Sequence, residues 1–255
     1  MGTSVGYRFR ATSRETHCMN REYYKGYSQE LRRDMELLVF GHGGMPLLVF
    51  PTSMGRFFDY EDRGMIATLA PRIEAGSLQV YCADSVDAES WYNKGVHPRQ
   101  RVLRHLQYER YLLNELLPFI RSRNSSSQLA VTGCSFGGYH TINFSLRHPD
   151  LVNYCVSMGG AFDIHQFLNG YYDEDCYFNC PPDFLSNMSD DWYLNWYRRM
   201  KIVLATGETD ICRDENIGLS LILNSKAVPH VLDVWGNNAG HDWPWWQQMA
   251  VKFFL

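Results

Sequence analysis

From about residue 22 onward, short apolar runs alternate with stretches of helical period. Met35–Phe40 and Pro46–Phe50 are apolar runs joined by Gly41–Gly44, a pattern that predicts a glycine-closed hairpin. Leu78–Cys82, bounded by Gly76 and Asp84, predicts a buried strand. Across 99–121, Leu103, Leu106, Leu113, Leu117 and Ile120 recur at helical spacing, with Arg110 the one polar break. That stretch predicts one long helix, ended by the polar residues 122–128. Leu129–Thr132 then reads as a strand, 136–147 as a helix and Val152–Ser157 as a strand. Residues 159–200 break the rhythm, being rich in Tyr, Asp, Asn, Pro and Trp. Lys201–Ala205, a helix around 214–225, His230–Trp235 and a helix from about 243 complete the series.

Strands separated by helices of crossover length predict an α/β fold, a mostly parallel sheet with helices on both faces. The leading hairpin adds antiparallel strands at one edge. With 255 residues the chain supports one sizeable core. The expected organisation is a loose extension over 1–19 and a domain over 20–255. Within that domain, 159–200 forms an insertion over one end of the sheet, where a lid or pocket wall would lie.

Composition narrows the partners. Hydrophobic residues make up 45% and charged residues 20%, an ordinary globular balance, and the net charge is −4 without long blocks of either sign. A nucleic-acid backbone calls for a concentrated basic surface, so no nucleic-acid partner is expected. Arg99, Arg101 and Arg104 fall at helical spacing and read as a solvated face. No apolar run approaches the ~18 residues that span a bilayer. Seven Cys, an odd number without framework spacing and with no secretory signal ahead of them, predict reduced thiols in a cytoplasmic protein. Cys176 and Cys180 are the closest pair, but no second Cys or His pair completes a zinc set in the sequence, so no metal is expected.

The most informative segment is Gly133-Cys134-Ser135-Phe136-Gly137-Gly138. A bare Gly-x-Ser-x-Gly carries little weight. Here a strand ends at the segment and a helix begins from it, the context of a nucleophile held on a sharp turn between small neighbours. A phosphate-binding turn fits poorly, because neither the P-loop ending nor the G-x-G-x-x-G spacing is present. A serine nucleophile needs a base late in the chain. Of nine His, His241 is best placed, after strand 230–235 and the loop Gly236–Gly240. The orienting acid should follow the preceding strand, and Gly207-Glu208-Thr209-Asp210 offers Asp210. Asp214 and Glu215 read as first-turn helix acids. For a developing oxyanion, Phe136 N–H supplies one donor; the second falls in Pro51–Gly55, at Ser53 or alternatively Met54.

With Gly133–His140, Gly207–Asp210 and Gly240–Trp243 in hand, the chain resembles the esterase branch of the α/β-hydrolases. This is the group of esterase D, the S-formylglutathione hydrolases and the feruloyl esterases, and the resemblance covers roughly residues 20–255. It implies ester hydrolysis through Ser135, Asp210 and His241, with no metal and no organic cofactor. Many relatives carry His-Gly at the oxyanion loop, where this chain has Pro51-Thr52. The expected partner is a small-molecule ester with a short acyl group. Phe162, Phe167 and Trp192 of the insertion are candidates for the pocket wall, and a homo-oligomer stays open. The rival readings are an acyltransferase, a carbohydrate (acetyl or feruloyl) esterase, a peptidase, and a non-catalytic carbohydrate-binding module built on Trp and Tyr faces.

Overall fold

The computed structural model describes residues 10–12 and 19–255, so most of the expected 1–19 extension lies outside the described residues. The strands are β1 (Arg10–Thr12), β2 (Arg21–Ser28), β3 (Arg33–Phe40), β4 (Met45–Phe50), β5 (Leu78–Ala83), β6 (Ala130–Cys134), β7 (Tyr154–Met158), β8 (Lys201–Gly207) and β9 (Val231–Trp235). The helices are α1 (Asp59–Asp62), α2 (Met65–Glu74), α3 (Pro98–Tyr111), α4 (Leu117–Arg123), α5 (Phe136–Arg147), α6 (Glu174–Tyr177), α7 (Pro181–Ser186), α8 (Asp191–Tyr197), α9 (Arg213–Ser225) and α10 (Trp243–Phe254). One sheet orders the strands β1-β2-β3-β5-β4-β6-β7-β8-β9. From β5 to β9 every neighbouring pair is parallel; β1, β2 and β3 join antiparallel. The expected α/β architecture is the one observed.

The leading hairpin is displaced from its expected place. β3 pairs with β2, Tyr24 opposite Leu37, and the run Pro46–Phe50 is not its partner. β5 lies between β3 and β4, antiparallel to the first and parallel to the second. Gly41–Gly44 is therefore a connection that steps over one strand position, with Gly41 and Gly44 both at positive φ. The apolar pattern marks both strands but carries no information on which strand each one bonds to, because that pairing is non-local.

The long helix also departs from expectation. Between α3 and α4 the residues Leu112–Leu116 form a π-helical turn, which rotates the buried face. Leu103 is 41% exposed, whereas Arg101, Val102, His105, Tyr108 and Glu109 are buried. Arg101 is thus no part of a solvated face. Its guanidinium donates to Val96 O and Phe167 O, tying the loop before α3 to the insertion. Glu109 accepts two bonds from Arg147 of α5 and lies 2.6 Å from His148 Nε2. On α3 paired polar groups share the buried face, while Leu117 and Ile120 of the expected stripe are buried in the core.

Hydrophobic cores fill both faces of the sheet. One gathers Leu37, Val39, Leu48 and Phe50 with α3, α4, α5 and α9; the other gathers Leu38, Leu47, Val49 and Val80 with α2 and α10. Alternate residues of β3 and β4 supply the two cores, as period-2 strands buried on both sides must. Among the described residues, no helix is long and apolar enough to cross a membrane. Residues 159–200 form α6, α7, α8 and a 3-10 turn at His165–Phe167, all between β7 and β8.

Candidate active site

The turn from β6 into α5 places Ser135 at φ 57° and ψ −121°, a conformation that costs a non-glycine residue of order 1–3 kcal/mol. Small neighbours permit the turn. A Cβ at Gly133 would sit 2.3 Å from Gly137 O, and one at Gly137 would sit 2.5 Å from Phe50 O. The first turn of α5 is therefore pressed against the end of β4. Ser135 N–H donates to Met158 O at 2.9 Å, fixing the elbow to the end of β7.

Two loops meet this elbow from the neighbouring strands. After β8, Asp210 is buried, and its Oδ1 accepts Cys212 N–H at 2.8 Å. After β9, the loop is held to the first by Thr209 N–H donating to Ala239 O at 3.0 Å. His241 thereby reaches both partners. Its Nδ1 lies 2.8 Å from Asp210 Oδ1 and its Nε2 2.8 Å from Ser135 Oγ. The His241 side chain is 17% exposed and that of Asp210 0%. Trp246 of α10 meets the imidazole edge to face, with ring centroids 4.9 Å apart.

Gly159 closes the inner side. It has φ 57°, and a Cβ there would sit 2.6 Å from Asp210 Oδ2, 3.0 Å from Trp246 Nε1 and 3.2 Å from His241 Nδ1. Any side chain at 159 would push the carboxylate away from the imidazole, so the packing selects glycine.

The loop after β4 presents free amides beside the elbow. Thr52 N–H donates to Asp59 Oδ2 and Gly55 N–H to Thr52 O, at 3.0 and 2.8 Å. The N–H groups of Ser53 and Met54 have no partner among the described residues. Met54 sits at φ 54° and is 54% exposed. Phe136 N–H opens α5, where the first amides have no intrahelical acceptor.

With this geometry described, comparison with known proteins identifies the chain. The profile of the family described as "Putative esterase" matches residues 80–252, which include Ser135, Asp210 and His241. The chain belongs to this esterase family. It is accordingly a carboxylic-ester hydrolase. A comparison with curated proteins finds no match. Among solved structures, a ferulic acid esterase is similar at TM-score 0.75 and 16% identity, over 93% of this chain and 97% of that one. An S-formylglutathione hydrolase from Staphylococcus aureus has TM-score 0.68 and 16% identity, over 94% and 98%. Another from Agrobacterium tumefaciens has TM-score 0.70 and 14% identity, over 97% and 96%. At these identities the likeness is one of fold. The loop 51–55, where the sequence departs from many relatives, lies outside the matched residues.

Of the esterase's expected pocket residues, only Phe167 adjoins the elbow. Its ring lies 5.4 Å from Phe136 and 4.9 Å from Tyr92. Phe162 is wholly buried in the core with Phe184 and Leu219. Trp192 is 49% exposed on α8, against Tyr193 and Trp196. Tyr92 escaped the sequence reading. It is half-buried, its hydroxyl donates to Ser53 Oγ at 2.8 Å, and its ring packs on Phe136 at 5.3 Å. The one available signal was an aromatic pair, Trp91-Tyr92, in the loop after a buried strand, at the carboxyl edge where ligands bind in open α/β sheets. Glu215 is also more than a first-turn acid. Its Oε2 accepts Phe162 N–H and Asp163 N–H, and burial raises its carboxyl above the usual range. Asp214, by contrast, is exposed beside Arg213.

Proposed function

We propose that this esterase hydrolyses short-chain acyl esters by two-step acyl transfer, with Ser135 as nucleophile, His241 as base and Asp210 as the orienting acid. The observation that carries the reading is the continuous chain Asp210 Oδ1, His241 Nδ1, His241 Nε2, Ser135 Oγ, with both contacts at 2.8 Å. In this reading Asp210 keeps the proton on Nδ1, which leaves the Nε2 lone pair to receive the Ser135 proton. Oγ then attacks the ester carbonyl. The tetrahedral oxyanion is held by Phe136 N–H and by Ser53 or Met54 N–H, the latter two without a partner among the described residues. His241 returns its proton to the departing alcohol. Water, deprotonated by His241 in its turn, releases the acid and restores the serine.

Tyr92 and Phe167 form the aromatic wall nearest the oxyanion loop and favour a compact acyl group over a long lipid chain. The segment 159–200 acts as a lid-like border to that wall through Phe167. A feruloyl or acetyl ester of a carbohydrate is the second reading, favoured by the aromatic wall, which suits a planar acyl group.

The test is rapid-mixing kinetics on a panel of nitrophenyl esters of increasing acyl length, with Ser135→Ala alongside. The expected result is a stoichiometric burst with short acyl groups, lost in Ser135→Ala together with all but about a thousandth of the turnover. Turnover retained in that variant overturns the assignment.

A further inference from the structure

A second group of reactive side chains lies in the insertion, apart from the Asp210–His241–Ser135 chain. Asp163 Oδ1 is 2.6 Å from His165 Nδ1, and Cys180 Sγ is 3.9 Å from the same nitrogen. The three donor atoms all lie within 4.8 Å of one another. On the far side of the ring, His165 Nε2 is 3.4 Å from Asp183 Oδ2. Tyr172 donates its hydroxyl to Asp183, and its ring stacks on His165 at 5.2 Å with 1° between the planes.

The arrangement is organised toward one point. In the ion-free chain Nδ1 donates to Asp163; an incoming ion displaces that proton, and Asp183, on the Nε2 side, is placed to favour the tautomer protonated there. A carboxylate behind a histidine in this way is the usual outer partner of a metal-bound imidazole. The stack on Tyr172 fixes the ring plane. Asp163 is braced twice: its Oδ1 also accepts His165 N–H at 2.8 Å, and its own N–H donates to Glu215 at 2.8 Å. Asp163 and His165 are half-exposed, and Cys180 is buried behind them at the start of α7. An ion can therefore arrive from solvent and meet the sulfur last.

We propose that Asp163 Oδ1, His165 Nδ1 and Cys180 Sγ form a three-ligand site for a borderline-soft divalent transition ion, zinc fitting best, with Asp183 as outer partner. Mixed oxygen, nitrogen and sulfur donors exclude calcium and magnesium as preferred occupants. Bond lengths of about 2.0 Å to N and O and 2.3 Å to S imply donor separations of roughly 3.3–3.6 Å in a tetrahedron. The sulfur–nitrogen distance is already close to that. The Asp163–His165 contact must open by under about 1 Å, which an exposed carboxylate can do. Water completes the tetrahedron. Binding expels the Cys180 thiol proton to solvent, and the thiolate and Asp163 offset the charge of the ion. The ion would staple the loop after β7 to α7, holding the insertion that carries Phe167.

Among the described residues one other group, Asp210, Cys212 and His241, has ligand atoms equally close, and metal bound there would disable His241. Cobalt titration of the chelator-stripped full chain separates the two. The expected result is one equivalent of Co²⁺, a thiolate-to-cobalt charge-transfer band displaced by Zn²⁺, a raised Tm and unchanged ester hydrolysis. Cys180→Ser should abolish the band. His165→Gln, at an exposed position that tolerates substitution, should weaken Co²⁺ affinity at least tenfold, and Cys212→Ser should leave binding intact. The site is overturned by the absence of stoichiometric binding. It is also overturned by an undiminished Co²⁺ affinity in His165→Gln, or by a band that vanishes in Cys212→Ser with activity inhibited by the metal.

Discussion

Two of the aspartate–histidine pairs, Asp210–His241 and Asp87–His140, have nearly equal length in opposite surroundings. Asp210–His241 spans 2.8 Å at the strand-exit edge, with the imidazole open on one side to Ser135 Oγ. Asp87–His140 spans 2.9 Å beneath the nucleophile helix, with side chains only 1% and 3% exposed. Around His140 the rings of Phe50, His105, Tyr108, Phe136 and Tyr139 close every side. The chemistry of the pair is the same. What differs is the third partner: an attackable hydroxyl in one case, packed aromatic rings in the other. Proton transfer needs that partner and an opening to substrate, so of the two pairs the first has the surroundings that the proposed mechanism requires.

The largest effect that sharpens this contrast is on turnover. Asp210→Asn should lower kcat by about 10³–10⁴, because the imidazole loses the acceptor that fixes its tautomer. Asp87→Asn should leave kcat within about tenfold, and Asp214→Asn should leave it unchanged. Steady-state kinetics of the three variants decide. If Asp87→Asn or Asp214→Asn is the most damaged, the acid has been misassigned.

Stability should reverse the order. Removing one partner of a buried pair leaves the other uncompensated, so Asp87→Asn should cost about 3–5 kcal/mol in denaturant unfolding. Asp210→Asn should cost less, since the His241 side chain it leaves is 17% exposed and open to water, whereas that of His140 is 3% exposed. Equal losses would erase the distinction.

The buried region should also govern acid sensitivity. Burial, reinforced by the neighbouring His140, pushes His105 down to about 3. The unfolded chain takes up this proton below about pH 6.5 and the folded chain only near pH 3. Stability is thus complete above about pH 6.5 and falls with pH by up to roughly 1.4 kcal/mol per unit. Unfolding free energies at pH 7, 6 and 5 should show a shallower slope in His105→Gln; an unchanged slope would contradict the linkage.

The smallest effects should come from the insertion. Phe167→Ala should shift relative rates across an ester panel severalfold, through Tyr92 and Phe136. Phe162→Ala should mainly lower stability, by about 3–5 kcal/mol as for other buried phenylalanines. Trp192→Ala, at an exposed position, should alter neither by much. A change of specificity confined to Trp192→Ala would place the acyl wall elsewhere.

These contrasts also explain what the sequence made legible. Ser135, Asp210 and His241 each follow a strand of the parallel sheet, β6, β8 and β9, and parallel strands deliver their exits to one edge. Chain order and small-residue spacing were therefore enough to name them before any contact was known. The pairing of β3 with β2 was not legible, since an apolar run does not record its hydrogen-bond partner. Nor was the buried face of α3, where Arg101 and Glu109 occupy core positions by pairing with groups far along the chain. Tyr92 and the Asp163–His165–Cys180 cluster stand on irregular loops without period, where side-chain direction is set by tertiary contacts alone.

The central claim, that Ser135 is the one activated nucleophile, is tested most directly by labelling the native chain with a fluorophosphonate and mapping the adduct by mass spectrometry. One adduct per chain on the peptide containing Ser135 is predicted, absent in Ser135→Ala and slowed by about 10³ or more in Asp210→Asn. Labelling at another residue, or full hydrolytic turnover in a chain whose Ser135 is labelled, would contradict it.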